Sequence, residues 1–457
     1  MAGKRQSLTQ APLPSRHCYP KELVAFIFER WQDRAFVARV CPQAGEESFA
    51  LPDCGILEQV ISTCYQASLL REEERPVMFR LIIRDSYLFP PLEGPPTGMH
   101  RLIFSRTRAF NEYELHRLAP AADFYRTLIG IFIDPVLGAQ IWGLLHSGTR
   151  WMHAVYGGRK TSPPMPTALL VYVTGPGQIS VCIGDEIIAS LNGGQINCPT
   201  IDVFNSRWFK KSLAALNDET FALHRNARSQ AKRVWAELDP EFGSNISQQA
   251  IRRIISVIRN SNHGGLLVFL PAEMADEVVE ENGYLSVKYQ FLEFDSRQRF
   301  LSLTLRIMNT LAEMHGDAAA PRRKVGWAEY VTSNNESIAL LDEAVFDVAH
   351  FVAALSAVDG AVVITKRQEL LGFGAVISGD LDSVGMVEHA LDTEGERCET
   401  VMSEGVGTRH RAAYRLCQKL HQAIAIVISQ DESVQIVRWH NGSVTYWDQV
   451  PTGVPGF

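Results

Sequence analysis

The stretch Gly265-Leu266-Leu267-Val268-Phe269-Leu270 is an unbroken apolar run that ends at Pro271. A run of this length without polar alternation is typical of a central strand that is covered on both faces. Two further runs, Val362-Val363-Ile364 and Ala423-Ile424-Ala425-Ile426-Val427-Ile428, have the same character. We therefore expect a strand at each of these three segments, within a sheet that helices flank.

Helical and hairpin patterns surround these runs. The segment 247–259 places Ile251, Ile254, Ile255 and Ile258 on one face, which predicts a helix. Ser247 is the candidate N-cap of this helix. We also expect helices over 207–236, 298–314, 338–357 and 411–422, and a strand over 370–377. Asn441-Gly442 is a strong turn pair and predicts a hairpin over 434–447.

The N-terminal half alternates predicted strands and helices. A helix is expected from Pro20, and strands are expected at 77–83, 100–104, 141–145, 168–173 and 179–182. The predicted fold class is α/β, with a C-terminal mixed sheet flanked by helices and an α/β N-terminal region. We expect an N-terminal region over 1–160 as a candidate sensor, a strand-rich continuation with a helical connector over 161–240, and a C-terminal domain over 245–450.

Composition narrows the class of protein. The chain has 457 residues, of which 46% are hydrophobic and 21% charged, and this is ordinary for a globular protein of two or three domains. Its net charge of -7 argues against nucleic-acid binding through a broad basic surface. No stretch approaches the ~20 apolar residues of a membrane span, and the N-terminus leads into no apolar signal segment. The eight cysteines form no C-x-x-C pair. We expect a cytoplasmic protein with reduced thiols and neither a nucleic-acid nor a membrane partner.

The familiar enzyme motifs are missing from the sequence. There is no G-x-x-x-x-G-K-[ST] loop, no G-x-G-x-x-G after a strand, no H-E-x-x-H and no G-x-S-x-G. Gly372-Phe373-Gly374 lacks the third glycine of a dinucleotide fingerprint. The commonest phosphate-binding loops, zinc proteases and serine hydrolases are therefore excluded.

Asp359-Gly360-Ala361 stands at the start of an apolar strand. A carboxylate beside a glycine, which lets a ligand approach the backbone, is suited to hold a divalent cation. Asp-Gly is also a common turn pair, so taken alone this tripeptide fits either interpretation.

Gly407-Thr408-Arg409-His410-Arg411 precedes a helical pattern. Two guanidinium groups and an imidazole at a helix N-terminus are unfavourable unless an anion neutralises them, and the free backbone N–H groups there bind anions. A phosphate site and a solvated basic turn are the two interpretations. An Arg–phosphate hydrogen bond would contribute roughly 1.5–3 kcal/mol to binding.

Together, Asp359-Gly360-Ala361-Val362-Val363-Ile364 and Gly407-Thr408-Arg409-His410-Arg411-Ala412-Ala413 resemble the two signature motifs of diadenylate cyclase domains, in the same order and at a similar separation. Gly265 to Phe269 resembles the opening strand of that family, and Ile426 to Gln430 resembles its closing strand end. The resemblance covers about 245–450.

The resemblance implies a nucleotidyltransferase. Two domains, each holding one ATP, would face each other in a homo-oligomer, and each 3′-hydroxyl would attack the α-phosphate of the other ATP to give cyclic di-AMP and two pyrophosphates. Asp359 would be catalytic as well: it would bind Mg²⁺ or Mn²⁺ and help to activate the attacking hydroxyl. The nucleotide would lie against Gly360, Ala361, Gly407, Thr408 and Ser429, and the catalytic cationic residues Arg409, His410 and Arg411 would hold the phosphates and offset developing charge.

Several positions depart from the family pattern or stay open. Val358 stands where some members have a histidine, and Ser429-Gln430-Asp431-Glu432 replaces the common Ser-Glu-Glu. The alternative function is thus an inactive module of the same fold that binds ATP or a cyclic dinucleotide.

His263 is either a loop residue or a ligand of the nucleotide. Trp439 and Trp447 are core or interface residues, or else they stack on a base.

Overall fold

The computed structural model describes most of the chain. The described residues are 17–34, 36–37, 50–94, 99–124, 126–147, 167–184, 186–197, 202–261, 263–279, 282–317, 324–333, 335–429 and 433–448. Helices and strands alternate through these ranges and build two large sheets, which confirms the α/β class.

The helices of this part are α1 Pro20–Trp31, α2 Cys54–Ser68, α3 Glu112–Leu118, α4 Arg207–Ser212, α5 Ala214–Gln230, α6 Phe242–Asn260, α7 Ala275–Val279, α8 Phe294–Arg297, α9 Arg299–Met314, α10 Trp327–Thr332, α11 Glu336–Leu355 and α12 Thr408–Lys419. The strands are β1 Arg71–Glu72, β2 Arg75–Pro76, β3 Phe79–Ile83, β4 His100–Ala109, β5 Thr127–Asp134, β6 Gly138–His146, β7 Leu169–Gly175, β8 Gln178–Ile183, β9 Glu186–Asn192, β10 Gln195–Asn197, β11 Glu237–Leu238, β12 Gly265–Leu270, β13 Leu285–Gln290, β14 Lys324–Val325, β15 Ala361–Thr365, β16 Leu370–Ile377, β17 Met386–Ala390, β18 Cys398–Met402, β19 Ile424–Ile428, β20 Val434–His440 and β21 Ser443–Trp447.

The N-terminal sheet has eight strands in the order β10-β9-β8-β7-β3-β5-β6-β4. Strands β3 and β5 pair in parallel, and all the other neighbouring strands of this sheet pair antiparallel. Apolar residues of α1, α2 and α3, such as Leu23, Leu57 and Leu115, pack on one of its faces. Strands from both sides of residue 160 lie in this one sheet, in keeping with a continuation of the N-terminal region over 161–240; the domain boundaries themselves stay predictions.

The C-terminal sheet has nine strands in the order β13-β16-β15-β12-β19-β20-β21-β17-β18. Its middle strand β12 pairs in parallel with β15 and antiparallel with β19, and all six of its residues are buried. The helices α6, α9 and α11 cover one face, and α7 and α12 cover the other. The prediction of a central strand covered on both faces is confirmed.

The structure corrects three helix boundaries. Helix α6 begins at Phe242, so Ser247 is not its cap: the Ser247 hydroxyl donates within the helix to the carbonyl oxygen of Gly243 at 2.9 Å. The helix predicted over 207–236 is two helices that end at Gln230. The helix predicted from Arg411 starts earlier, at Thr408, so the basic motif forms its first turn.

A buried charge pair joins α6 to α11. Nη2 of Arg253 lies 2.7 Å from Oδ1 of Asp342, and the two side chains are 0% and 4% exposed. The hydroxyl of Tyr330 also donates to the Asp342 carboxylate. Because both charges are desolvated, each depends on its partner to stay buried.

Replacing Asp342 tests this pair. We expect Asp342→Ala to lower the free energy of unfolding by about 3–5 kcal/mol, because it leaves the Arg253 charge buried without its carboxylate. The matched control is Glu343→Ala, the next residue on α11, which is exposed. The control should change the free energy by less than about 0.5 kcal/mol. Urea unfolding of both variants gives the comparison, and equal effects would contradict the assignment.

Candidate functional site

The register of the central strands brings the first motif to one edge of the nine-stranded sheet. Leu267 of β12 is the parallel partner of Val362 of β15, so the starts of these strands lie side by side. Gly265 is the antiparallel partner of Ile428, which puts the end of β19 at the same edge. Asp359-Gly360 therefore lies beside the start of β12, and Ser429 lies on the other side of it.

Gly360 lies tightly against the neighbouring strand. It has a φ of +115°, and a Cβ atom there would come within 2.6 Å of the Gly374 carbonyl carbon and 2.8 Å of the Ala375 carbonyl oxygen. Any other residue would clash with this backbone and adopt a strained conformation. Asp359 next to it is exposed, while Ala361 is buried in the strand. The carboxylate is thus held at the mouth of β15, open to a ligand.

The second motif meets this edge through Arg409. Nη1 of Arg409 lies 3.0 Å from the point that a Cβ on Gly264 would occupy, and Gly264 has a φ of +64°. The carbonyl carbon of Ser429 lies 3.3 Å from the same point. The structure thus brings Arg409, Ser429 and the start of β12 together, next to the strand that follows Asp359.

The rest of the basic motif forms the first turn of α12. Gly407 is the N-cap residue, and as a glycine it has no side chain that could cap the helix. Thr408 and Arg411 are exposed, and His410 is half-buried with its ring 6.4 Å from that of Tyr414. Cationic side chains and backbone N–H groups here would favour a bound anion.

Aromatic side chains pack between α12 and the strands β21 and β17 of the sheet. The Tyr414 ring stacks on Tyr446 at 6.2 Å, and Tyr446 stacks on His389 at 4.8 Å. Burial raises the pKa of Tyr414 above its ordinary value and that of Tyr446 to about 12, so both phenols stay neutral. The hydrogen bond of His389 Nε2 with Oδ1 of Asp448, 3.0 Å long, raises the pKa of His389, although its burial acts in the opposite sense.

The remaining candidates from the sequence are His263, Trp439, Trp447 and the residues that follow Ser429. Nδ1 of His263 lies 2.6 Å from the Gly264 carbonyl oxygen, so this residue borders the site. Trp439 stacks on His421 at 4.1 Å, and the β19–β20 register puts it at the opposite edge of the sheet. Trp447 is fully buried, which confirms a core role. Gln430, Asp431 and Glu432 lie outside the described residues.

Metal binding would rest on few protein ligands. Within the ranges that the structure describes, no group of three or more His, Cys, Asp or Glu residues could hold a metal ion. Asp359 is a single exposed carboxylate, which fits the way Mg²⁺ is commonly bound, through one or two carboxylates, substrate phosphates and water.

Among the helices of the described part, none has the length and apolar character needed to cross a bilayer.

The His389–Asp448 pair predicts a pH-dependent stability. A raised histidine pKa stabilises the fold fully below the ordinary value of 6.5, and this contribution is lost as the pH rises through the raised pKa. Because both side chains are partly exposed, we expect less than about 1 kcal/mol. His389→Asn should therefore destabilise the protein more at pH 5.5 than at pH 9 in urea unfolding. An equal loss at both values would contradict the charge pair.

Comparison with known families concerns the N-terminal half. Residues 46–146 match the family described as "Probable sensor domain DACNV", which is found at the N-terminus of diadenylate cyclases. The match covers less than a quarter of the chain and spans α2, α3 and β3 to β6 of the eight-stranded sheet. No curated protein matches the chain significantly. The chain thus carries a match to a sensor family that is associated with diadenylate cyclases.

Proposed function

We propose that the C-terminal nine-stranded domain is a diadenylate cyclase that condenses two ATP molecules into cyclic di-AMP and two pyrophosphates, regulated by the N-terminal sensor region. The observation that carries the proposal is the meeting of two motifs, about fifty residues apart in sequence, at one edge of the sheet. Arg409 lies against Gly264, and the strand that follows Asp359 pairs with the strand that follows Gly264. The sensor match at 46–146 supports the same class independently.

The chain's own residues would act by positioning and electrostatics. The first turn of α12, with Thr408, Arg409, His410 and Arg411, would hold the triphosphate and offset the charge that develops on the α-phosphate. Asp359 would hold Mg²⁺ or Mn²⁺, which supplies charge neutralisation to the phosphates when bound. Gly360 packs against the backbone of Gly374 and Ala375 and Ala361 is buried, so these two residues would act by holding Asp359 in place at the start of β15.

Catalysis also requires a second copy of the chain. The described residues form one such edge per chain, whereas the reaction joins two ATP molecules. Two domains would face each other so that each 3′-hydroxyl reaches the α-phosphate of the opposite ATP. The exposed position of Asp359 and Arg411 is compatible with such an arrangement.

The first test is turnover. Pure protein incubated with ATP and Mn²⁺ or Mg²⁺ should yield cyclic di-AMP and pyrophosphate on chromatography. Asp359→Asn removes the charge that would hold the metal but keeps the size of the side chain, so we expect at least a hundredfold loss of product with an unchanged unfolding midpoint. Lys419→Ala, at the exposed far end of α12, is the control and should keep full activity. Undiminished turnover by Asp359→Asn would refute the site.

A second candidate function is an inactive module that binds ATP or a cyclic dinucleotide. The Ser429-Gln430-Asp431 sequence favours it, because a carboxylate common in the family is missing at Gln430. This candidate predicts calorimetric binding of the nucleotide without product under any metal condition.

Arg409→Ala tests phosphate binding under either function. One charge-assisted hydrogen bond is worth roughly 1.5–3 kcal/mol, so we expect the dissociation constant for ATP to rise by about 10- to 150-fold in calorimetry. Lys419→Ala again serves as the control. An unchanged dissociation constant would show that Arg409 does not contribute to the binding of ATP.

A further inference from the structure

The segment from Asp202 to Phe209 joins the two sheets in sequence and contacts two separate parts of the C-terminal domain. The last strand of the eight-stranded sheet, β10, ends at Asn197, and α4 begins at Arg207. We call residues 202–209 the clamp segment. Besides packing in the core of that domain, it contacts helix α6 and the hairpin formed by β17 and β18.

The contact with α6 is a charge pair in which the arginine is buried and the carboxylate is partly exposed. Nη2 of Arg252 lies 2.7 and 2.8 Å from the two carboxylate oxygens of Asp202, and the Arg252 side chain is 2% exposed. Its guanidinium also lies over the Phe204 ring at 4.3 Å. Burial lowers the pKa of Arg252, and the Asp202 carboxylate opposes that shift. A buried guanidinium is costly without its carboxylate, so α6 and Asp202 move together.

Helix α6 leads directly to the candidate site. It ends at Asn260, about 12 Å along the helix axis from Arg252, and the loop after it contains Gly264, against which Arg409 lies. The neighbouring Arg253 ties α6 to α11 through Asp342. After α11, the Ser356 hydroxyl oxygen lies 2.9 Å from the point that a Cβ on Gly265 would occupy. A shift of α6 would therefore reach the loops that precede both β12 and β15.

The contact with the hairpin is made by α4. The backbone N–H of Arg207 donates to Oε1 of Glu394 at 2.9 Å, and Nε1 of Trp208 donates to the Thr393 carbonyl oxygen at 3.3 Å. The Trp208 ring lies 4.8 Å from that of Trp447. The Asp392 carboxylate accepts four backbone N–H groups of the hairpin turn, which makes the turn a firm point of attachment.

The hairpin leads to the other half of the site. Its second strand, β18, ends at Met402, and the chain then passes through Gly405 and Gly407 into the basic first turn of α12. The N–H of Ser403 donates to the Gly385 carbonyl oxygen at 3.0 Å and closes the base of the hairpin. A displacement of the turn at Thr393 would thus act on the loop that positions Arg409.

We propose that the clamp segment regulates the nucleotide site by coupling its two halves, because it holds α6 through Asp202 and the β17–β18 hairpin through Trp208. Movement of the segment shifts the Gly264 loop and the Arg409 turn relative to each other. This regulation rests on the proposed function of the site, although the mechanical coupling can be measured without nucleotide.

Hydrogen exchange of the full-length chain tests the coupling. Two variants each act on one side of the segment: Asp202→Asn weakens the contact with α6, and Trp208→Ala removes the contacts with Thr393 and Trp447. Conservative rescue variants are Asp202→Glu and Trp208→Phe, and Lys211→Ala, exposed on the same helix α4, is the matched control. Amide exchange is read at 263–265 and at 403–411, and the dissociation constant for ATP with Mn²⁺ is measured in parallel.

We expect about tenfold faster exchange at 263–265 in Asp202→Asn and at 403–411 in Trp208→Ala, and a rise of about tenfold in the dissociation constant in both. The rescue variants should restore much of the difference, and Lys211→Ala should equal the wild type. Because coupling is reciprocal, ATP with Mn²⁺ should also slow exchange over 202–213 in the wild type.

Two results would overturn the coupling. The first is that Asp202→Asn and Trp208→Ala lower the unfolding midpoint but leave exchange at both site segments as in the wild type. The clamp segment would then contribute only to stability. The other is faster exchange spread evenly over the domain. If the wild type binds no ATP, the proposed function fails, while exchange at the two segments still decides whether the coupling exists.

Discussion

The parallel pairing of β12 with β15 is the constraint on which the rest of the C-terminal domain depends. Both strands are buried on both faces, so their register cannot slip without exposing apolar side chains to water. This register puts Gly264 and Asp359 side by side at one edge. The antiparallel β19 brings Ser429 to the same edge, and α12 returns over the sheet with Arg409 directed at Gly264.

Adjacent arginines on α6 connect this edge to the rest of the chain. Arg253 holds α11 through Asp342, and Arg252 holds the segment that follows the sensor sheet through Asp202. Buried charge pairs contribute little net stability compared with apolar residues, but breaking one is costly. Their value here is positional, because each fixes one neighbour of a helix that runs into the candidate site. In sequence, the segment that holds Arg252 lies between the region that matches the sensor family and the C-terminal sheet.

The sequence predicted the parts of the fold that have a strong local signal. The strands β12, β15, β16 and β19 were predicted because they are continuous apolar runs, and Asn441-Gly442 located the last hairpin. The strands β17 and β18 were missed because Met386 to Ala390 and Cys398 to Met402 mix polar and apolar residues, and β18, at the edge of the sheet, is mostly exposed. The two motifs were recognised together from their order and separation, but the contact of Arg409 with Gly264 depends on strand order, which no local pattern encodes.

A structure of the protein with Mn²⁺ and a non-hydrolysable ATP analogue tests the central claim most directly. The account predicts an anomalous Mn²⁺ peak within coordination distance of the Asp359 carboxylate, and phosphate oxygens within hydrogen-bond distance of Arg409 and the first turn of α12. A nucleotide bound elsewhere, or bound at this edge without contact to either residue, would contradict the assignment of both motifs to one site.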